Sequence, residues 1–241
     1  MNKINIITRC TRANYLDKVE ESIFTTNKFI IKWWVIFDTR IIREVNTNFL
    51  SNLYSKGGEA FYIKGDDGDF GHTLISSIID KINDGFIYIL DDDNILHEDF
   101  YDKIDLNIKE NPNKLGFIFS QKVNNRDFTG LDIRIANPEN TKVQHIDMAQ
   151  FLLERSLIGD DRFIQNDYKA DGHFIENIFN KNKEKIQFIP DVLCYYNALR
   201  VPPNFTPKVL FIGDTQPILK SFKAAEYESD ELRVLYKKND D

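Results

Sequence analysis

The sequence predicts an α/β protein built on a doubly wound sheet. Short apolar strands alternate with helical stretches through about the first 120 residues, the β-α-β rhythm of such sheets. Phe86-Ile87-Tyr88-Ile89-Leu90 is a continuous apolar run of strand length, the kind buried on both faces of a parallel sheet. The helical stretches are one-faced: Leu74, Ile75, Ile78, Ile79 and Ile82 recur at helical spacing.

Taken in order, residues 4–7 read as a short buried strand, followed by the polar Thr8-Arg9-Cys10-Thr11-Arg12. A helix is expected over 15–25 and a second strand over 33–37, ending in Asp38. Trp33 and Trp34 there read as core rather than as a sugar platform. Gly57-Gly58 marks a turn before a strand at 60–63, and a Gly- and Asp-rich loop follows over 65–71. Gly85 ends the next helix. Residues 98–109 are helical, with Phe100, Tyr101, Ile104 and Ile108 facing inward, and 115–120 form a strand. In the second half, Asp147 opens a helix running to about Arg155. Another helix covers 172–180, and short strands lie at 186–189 and 192–196. Pro202-Pro203-Asn204 is a breaker. Beyond it, 208–214 read as a strand and the stretch to about Lys237 as helical. The expected division is a main domain over 1–205 and a strand–helix appendage over 206–241. The appendage either packs back on the main domain or begins a further one.

Bulk properties exclude several classes. Hydrophobic residues make up 42% and charged residues 29%, with 19 Phe, so a core is available and disorder is not expected. A net charge of -7 weighs against non-specific nucleic-acid binding, which needs a basic field. Two cysteines, Cys10 and Cys194, do not make a disulfide framework, and a reducing, cytoplasmic setting fits. No apolar run approaches the roughly 18 residues that span a bilayer, and no signal peptide is visible.

The chemistry centres on Asp91-Asp92-Asp93-Asn94, directly after the apolar strand. Three adjacent carboxylates repel one another, and partial burial raises the cost of ionising them. A divalent cation relieves both. If the run is extended, Asp91 and Asp93 share one side and hold the metal, while Asp92 faces a ribose hydroxyl or a backbone amide. Hard oxygen ligands suit Mg2+ or Mn2+, with diphosphate and water completing the shell. Ligands of open α/β sheets bind beyond the strands' carboxyl ends, where this run falls. The plainer alternative is an acidic turn that caps the next helix. Gly71-His72 opens a helix, whose amides attract phosphate.

Three segments together carry a resemblance. Phe86 through Asn94 resembles the metal-binding aspartate motif of glycosyltransferases with the GT-A fold. Ile6-Ile7-Thr8-Arg9-Cys10-Thr11-Arg12-Ala13-Asn14-Tyr15-Leu16 is similar to the first strand and nucleotide loop of that fold. Tyr168-Lys169-Ala170-Asp171-Gly172-His173-Phe174-Ile175-Glu176 resembles the acidic segment that supplies the base in inverting members. The likeness covers about residues 4–200, with small viral and bacterial members the nearest in kind. It implies a Rossmann-like, doubly wound mixed sheet with helices on both faces. It also implies metal-dependent transfer, with Mn2+ or Mg2+, from a nucleotide sugar to a hydroxyl of a glycan or glycoconjugate. A UDP-sugar is the expected donor.

The same resemblance distributes roles. Thr8, Arg9, Arg12, Asp38, His72, Asp91 and Asp92 are expected around the nucleotide, and Asp91 and Asp93 on the metal. Asp171 is the expected base, although an Asp just before a helix also serves as an N-cap. Asp147 and Glu176 are expected near the acceptor, while Asp147 and Gln150 also read as a capping box. His145, His173, Asn197 and Arg200 are weaker candidates. His72 stands where family members often carry Arg or Lys, which leaves the diphosphate grip open. Two rival classes remain. A sugar nucleotidyltransferase would carry a Gly-rich loop after the first strand, and Thr8 to Arg12 has no Gly. A non-catalytic nucleotide- or sugar-binding module is the other.

Overall fold

Two neighbouring tryptophans show how the chain is laid out. Trp33 and Trp34 sit on one strand, where successive side chains face opposite ways. Trp33 donates its indole N–H to Thr8 Oγ1 at 2.9 Å on one face of the sheet, and Trp34 donates to Asn5 Oδ1 at 3.2 Å on the other. Both tryptophans are core residues. The computed structural model of the chain describes residues 1–42, 44–65, 71–124, 132–163 and 169–200, with the backbone of 211–212 and 216–217.

The strands are β1 (Lys3–Cys10), β2 (Ile30–Asp38), β3 (Glu59–Ile63), β4 (Phe86–Ile89), β5 (Ile95–Leu96), β6 (Gly116–Val123), β7 (Ile133–Arg134), β8 (Phe151–Glu154) and β9 (Ile186–Tyr196). They form one sheet in the order β3-β2-β1-β4-β8-β6-β9-β5, with β7 added to β6. β3, β2, β1 and β4 run parallel. β8 runs antiparallel between β4 and β6, and β5 is antiparallel to β9. The sheet is therefore mixed, as expected.

The helices are α1 (Leu16–Ile23), α2 (Thr47–Ser55), α3 (His72–Ile79), α4 (Phe100–Glu110), α5 (Arg155–Ile158) and α6 (Ala170–Lys181). α1, α2 and α4 pack on one face, over Ile4, Ile6, Trp33, Val35 and Tyr88. α3, α5 and α6 pack on the other, over Ile7, Trp34, Ile36, Ile87 and Ile89. Odd and even positions of the same strands thus feed two cores. That is why β4 and the Trp33–Phe37 part of β2 read as unbroken apolar runs rather than as alternating ones.

Two expectations change. The stretch 147–155 is not one helix: a single 3-10 turn, Met148–Gln150, leads into β8, followed by α5. The capping box of Asp147 and Gln150 is real but closes only that turn. Phe151, Leu152 and Leu153 then fill the gap between β4 and β6. The expected pair of strands at 186–189 and 192–196 is one strand with an irregularity between Ile189 and Val192. Pro190 lies there and cannot donate to the ladder. α2 had no strong signal, because its only buried residues are Phe49 and Leu53. The expected strand and helix beyond 206 lie outside the described residues, apart from the short antiparallel pair Phe211–Ile212 and Gln216–Pro217. Among the described residues no helix is long and apolar enough to cross a membrane.

Candidate active site

The carboxyl ends of β1, β2 and β4 open on one edge of the sheet. β4 holds its register with β1 as far as Leu90, whose N–H donates to Ile7 O at 3.0 Å. The chain then turns instead of extending: Asn94 N–H closes back on Asp91 O at 3.1 Å. The alternation expected for an extended run does not apply. Asp92 and Asp93 both turn inward and are 1% exposed, whereas Asp91 keeps part of its surface in solvent.

Each residue of the turn has its own surroundings. Asp92 accepts from the backbone N–H of Thr11 at 2.5 Å and of Arg12 at 2.7 Å, and from Thr11 Oγ1 at 3.1 Å. It thereby shapes the loop after β1. Arg12 Nη2 bridges Asp92 Oδ1 at 2.5 Å and Asp93 Oδ2 at 2.7 Å, and Arg200 Nε donates to the same Asp93 oxygen. Burial works against the Arg12 charge, but Asp92, Asp93 and Asp91 outweigh it and raise its pKa. Asn94 accepts from Asn197 N–H at 2.7 Å, and Leu199 N–H donates to Asp93 O at 3.0 Å, so the exit of β9 is clasped to the turn. The Asp91 carboxyl makes no side-chain hydrogen bond among the described residues. Burial, then Asp93, Asp147 and Asp92, push its pKa well up.

A carboxyl in that position fits a divalent cation, which would remove the repulsion that Asp93 and Asp147 impose on Asp91. Among the described residues no three His, Cys, Asp or Glu side chains form a ready cage. Two carboxylates completed by phosphate and water suit Mg2+ or Mn2+. A cation at Asp93 would have to share or displace the two guanidinium contacts.

The edge at β2 is different. Asp38 is fully buried, and Arg40 grips it through Nε at 3.0 Å and Nη2 at 2.6 Å while Arg9 Nη2 adds a third contact at 3.1 Å. The Arg40 hydrogen bonds outweigh burial and hold the Asp38 carboxyl far below the usual range. Asp38 is committed to charge pairing inside the fold. It is the counter-ion that holds two arginines. Gly71 makes room for Arg9: a Cβ there would stand 2.0 Å from Arg9 Cδ. Two more of the expected residues have buried side chains. The Thr8 side chain is wholly buried under Trp33, where its hydroxyl oxygen accepts the indole N–H. His72 is also buried and stacks on Phe163 at 5.2 Å, which stacks on Phe174 at 4.3 Å. Through Phe163 its ring links α3 to α6.

α6 presents Asp171 in its first turn, half-buried. The N-cap is Lys169, so Asp171 lies inside the helix rather than capping it, and it accepts from Gly172 N–H at 2.7 Å. Burial and then Asp147 push its pKa up to about 7. Asp147 is buried and fully engaged. Its Oδ1 accepts from Gln121 Nε2 at 2.9 Å and Ala149 N–H at 3.0 Å, and its Oδ2 faces Arg134 Nη1 at 3.4 Å. Glu176 is half-buried and accepts from Val143 N–H at 3.3 Å, which fastens the 142–145 loop to α6. His145 on that loop is exposed.

The structure thus brings Arg12, Asp91, Asp92 and Asp93 together, with Arg9 and Asp38 beside them at the same sheet edge. Four participants were missed or undervalued: Arg40, Gln121, Arg134 and Arg200. Only Arg40 had a signal, since Asp38-Thr39-Arg40 puts a cation two residues beyond an acid at a strand end.

This is the fold of a GT-A glycosyltransferase. No protein-family model and no curated protein matches the sequence. Among solved structures, S. aureus TarS (residues 1–349) is similar with a TM-score of 0.63 and 13% identity over 80% of this chain. Its complex with UDP-GlcNAc is similar with 0.65 and 11% over 81%. The mannosyltransferase PcManGT from Pyrobaculum calidifontis, in complex with GDP-Man and Mn2+, is similar with 0.59 and 12% over 84%. The chain spans about three fifths of the length of those structures, at 60%, 58% and 58%.

Proposed function

We propose that the chain transfers a sugar from a nucleoside-diphosphate sugar to an acceptor hydroxyl, with inversion, and that Asp171 is the base. The observation that carries this is Asp171 itself. It is a partly exposed carboxyl in the first turn of α6, with a pKa pushed up to about 7 by burial and by Asp147, a residue that also acts on Asp91 of the strand-end turn. A base poised near neutral pH is the form general-base catalysis favours. In this reading Asp171 takes the proton from the acceptor oxygen as that oxygen attacks the anomeric carbon, and the bond to the diphosphate breaks. Arg12 and Arg200, drawn up at Asp93, are placed to pair with diphosphate oxygens. Arg9 and Arg40, held by Asp38, line the nucleotide side. Asp91 and Asp93 would hold Mn2+ or Mg2+, and the cation, when bound, supplies charge stabilisation to the departing diphosphate. The TarS complex with UDP-GlcNAc favours a UDP-sugar donor, and the GDP-Man complex of PcManGT keeps a guanosine donor in the test.

The test is a thermal-shift panel of nucleotide sugars with and without Mn2+, followed by transfer assays. We expect one donor to stabilise selectively, through binding linkage. Asp171→Asn should keep that stabilisation and lose transfer by about two to four orders of magnitude. Asp91→Ala and Asp93→Ala should lose the metal-dependent part of donor binding. Near wild-type transfer by Asp171→Asn removes it as base, and activity indifferent to chelator removes the metal. Selective binding without donor hydrolysis or transfer would instead favour a binding module.

A further inference from the structure

β7 is built inside out. Arg134 is 9% exposed, while its neighbours Ile133 and Ile135 are 43% and 56% exposed. A strand that merely closed the sheet would bury the isoleucines and turn the arginine to water. Arg134 instead donates to Gln121 Oε1 at 2.7 Å, faces Asp147 Oδ2 at 3.4 Å, and lies 4.3 Å over the Tyr196 ring. Gln121 Nε2 closes a ring by donating to Asp147 Oδ1. Gln150 Nε2 donates to the main-chain oxygen of Arg134 at 3.3 Å and its Oε1 accepts from Asp147 N–H at 3.0 Å, which locks the turn to the strand. Desolvating two charges is costly, and such pairs often add no net stability. Stability alone gives no reason for this arrangement.

Its place gives one. The 3-10 turn that Asp147 caps packs against both β4, which leads to Asp91, and α6, which carries Asp171. Asp147 acts electrostatically on both carboxyls, and Arg134 opposes it at Asp171. We propose that Arg134 is a positioning residue for the transfer: with Gln121 it holds Asp147 between the donor-side carboxyl Asp91 and the base Asp171, and so sets the charge the base faces. This rests on reading Asp171 as the base. Asp147 and Arg134 face Asp171 from neighbouring elements. The 142–145 loop packed on α6 adds Lys142 and His145, and the start of the helix itself carries Lys169, His173 and Glu176. Without Arg134, Asp147 is unbalanced and Asp171 holds its proton more tightly. Without the Asp147 charge, Asp171 releases it more readily. With both neutral, the two effects oppose.

The experiment titrates the full chain labelled with 13Cγ-aspartate, followed by NMR, with Asp171→Asn identifying the resonance. We expect Arg134→Met to move the Asp171 midpoint up by roughly one pH unit and Asp147→Asn to move it down by a similar amount. The double variant should fall between them. Midpoints unmoved in both single variants, or moved in the same direction, overturn the proposal. If Arg134→Met does not fold, Asp147→Asn and Gln121→Leu, which frees Asp147 from one donor, carry the same opposed signs. The acid limb of kcat/KM should follow the NMR midpoint. A midpoint that moves while the limb stays shows that Asp171 is not the base, and so separates failure of the functional reading from failure of this one.

Discussion

At the scale of single residues, the same side-chain type does different work according to its partners. Asp38, Asp92 and Asp147 are buried and saturated, while Asp91 and Asp171 reach solvent with raised pKa values. The second pair suits chemistry, and the first holds arginines and loops in place. Asp38→Asn should therefore act on structure first. It leaves Arg9 and Arg40 beside a neutral amide, and breaking a buried pair costs about 3–5 kcal/mol. Urea unfolding should show that loss, with nucleotide affinity falling alongside. An unchanged midpoint would mean that the two arginines find other acceptors. Asp91, Asp93 and Asp171 were legible because acids at a strand end and a helix start stand out in sequence. Arg134 was not, because a lone arginine carries no periodicity, and for the same reason Arg200 stood out only as a weaker candidate.

At the scale of elements, the sequence was read well where one period ruled and badly where two signals competed. α3 and α6 show an apolar stripe, and β4 an unbroken apolar run. The stretch from Asp147 to Arg155 offered a capping box, and the box is present, but Phe151-Leu152-Leu153 is claimed by the strands on either side. Burial between two strands outweighs local helix preference. The loop into α3 gives a sharp test. Gly71 has φ +95 and no space for a Cβ beside Arg9, whereas Gly57 has φ +77 and nothing within 4 Å. Gly57→Ala should cost about 1 kcal/mol for the backbone alone. Gly71→Ala should cost that and more, about 2–3 kcal/mol, because Arg9 is pushed from Asp38. Equal losses in thermal unfolding would show that Arg9 simply moves aside.

At the scale of the whole molecule, two cores on a mixed sheet hold one edge where carboxyls crowd. That crowding has a pH signature. Asp171 binds its proton more tightly in the folded chain, near pH 7, than at the ordinary carboxyl value of 3.8. Its penalty is absent below about pH 4 and complete above about pH 7, so stability should fall as pH rises between them. Asp38 has the opposite sign, but its contribution is lost only below about pH 4. The melting temperature should therefore be higher at pH 6 than at pH 8, and Asp171→Asn should flatten the difference. A slope unchanged by that substitution would assign it to other groups. The alternation of apolar runs and stripes, by itself, determined the α/β class, the two-faced sheet and the carboxylates at its edge, because those depend on neighbours within a few residues. Only the tertiary structure decided how those carboxylates are used. Arg12 reaches Asp93 across 81 residues, Arg200 across 107, and Arg134 meets Asp147 through a strand with no visible pattern. Charge and burial act through space, and folding alone sets which groups lie within their reach.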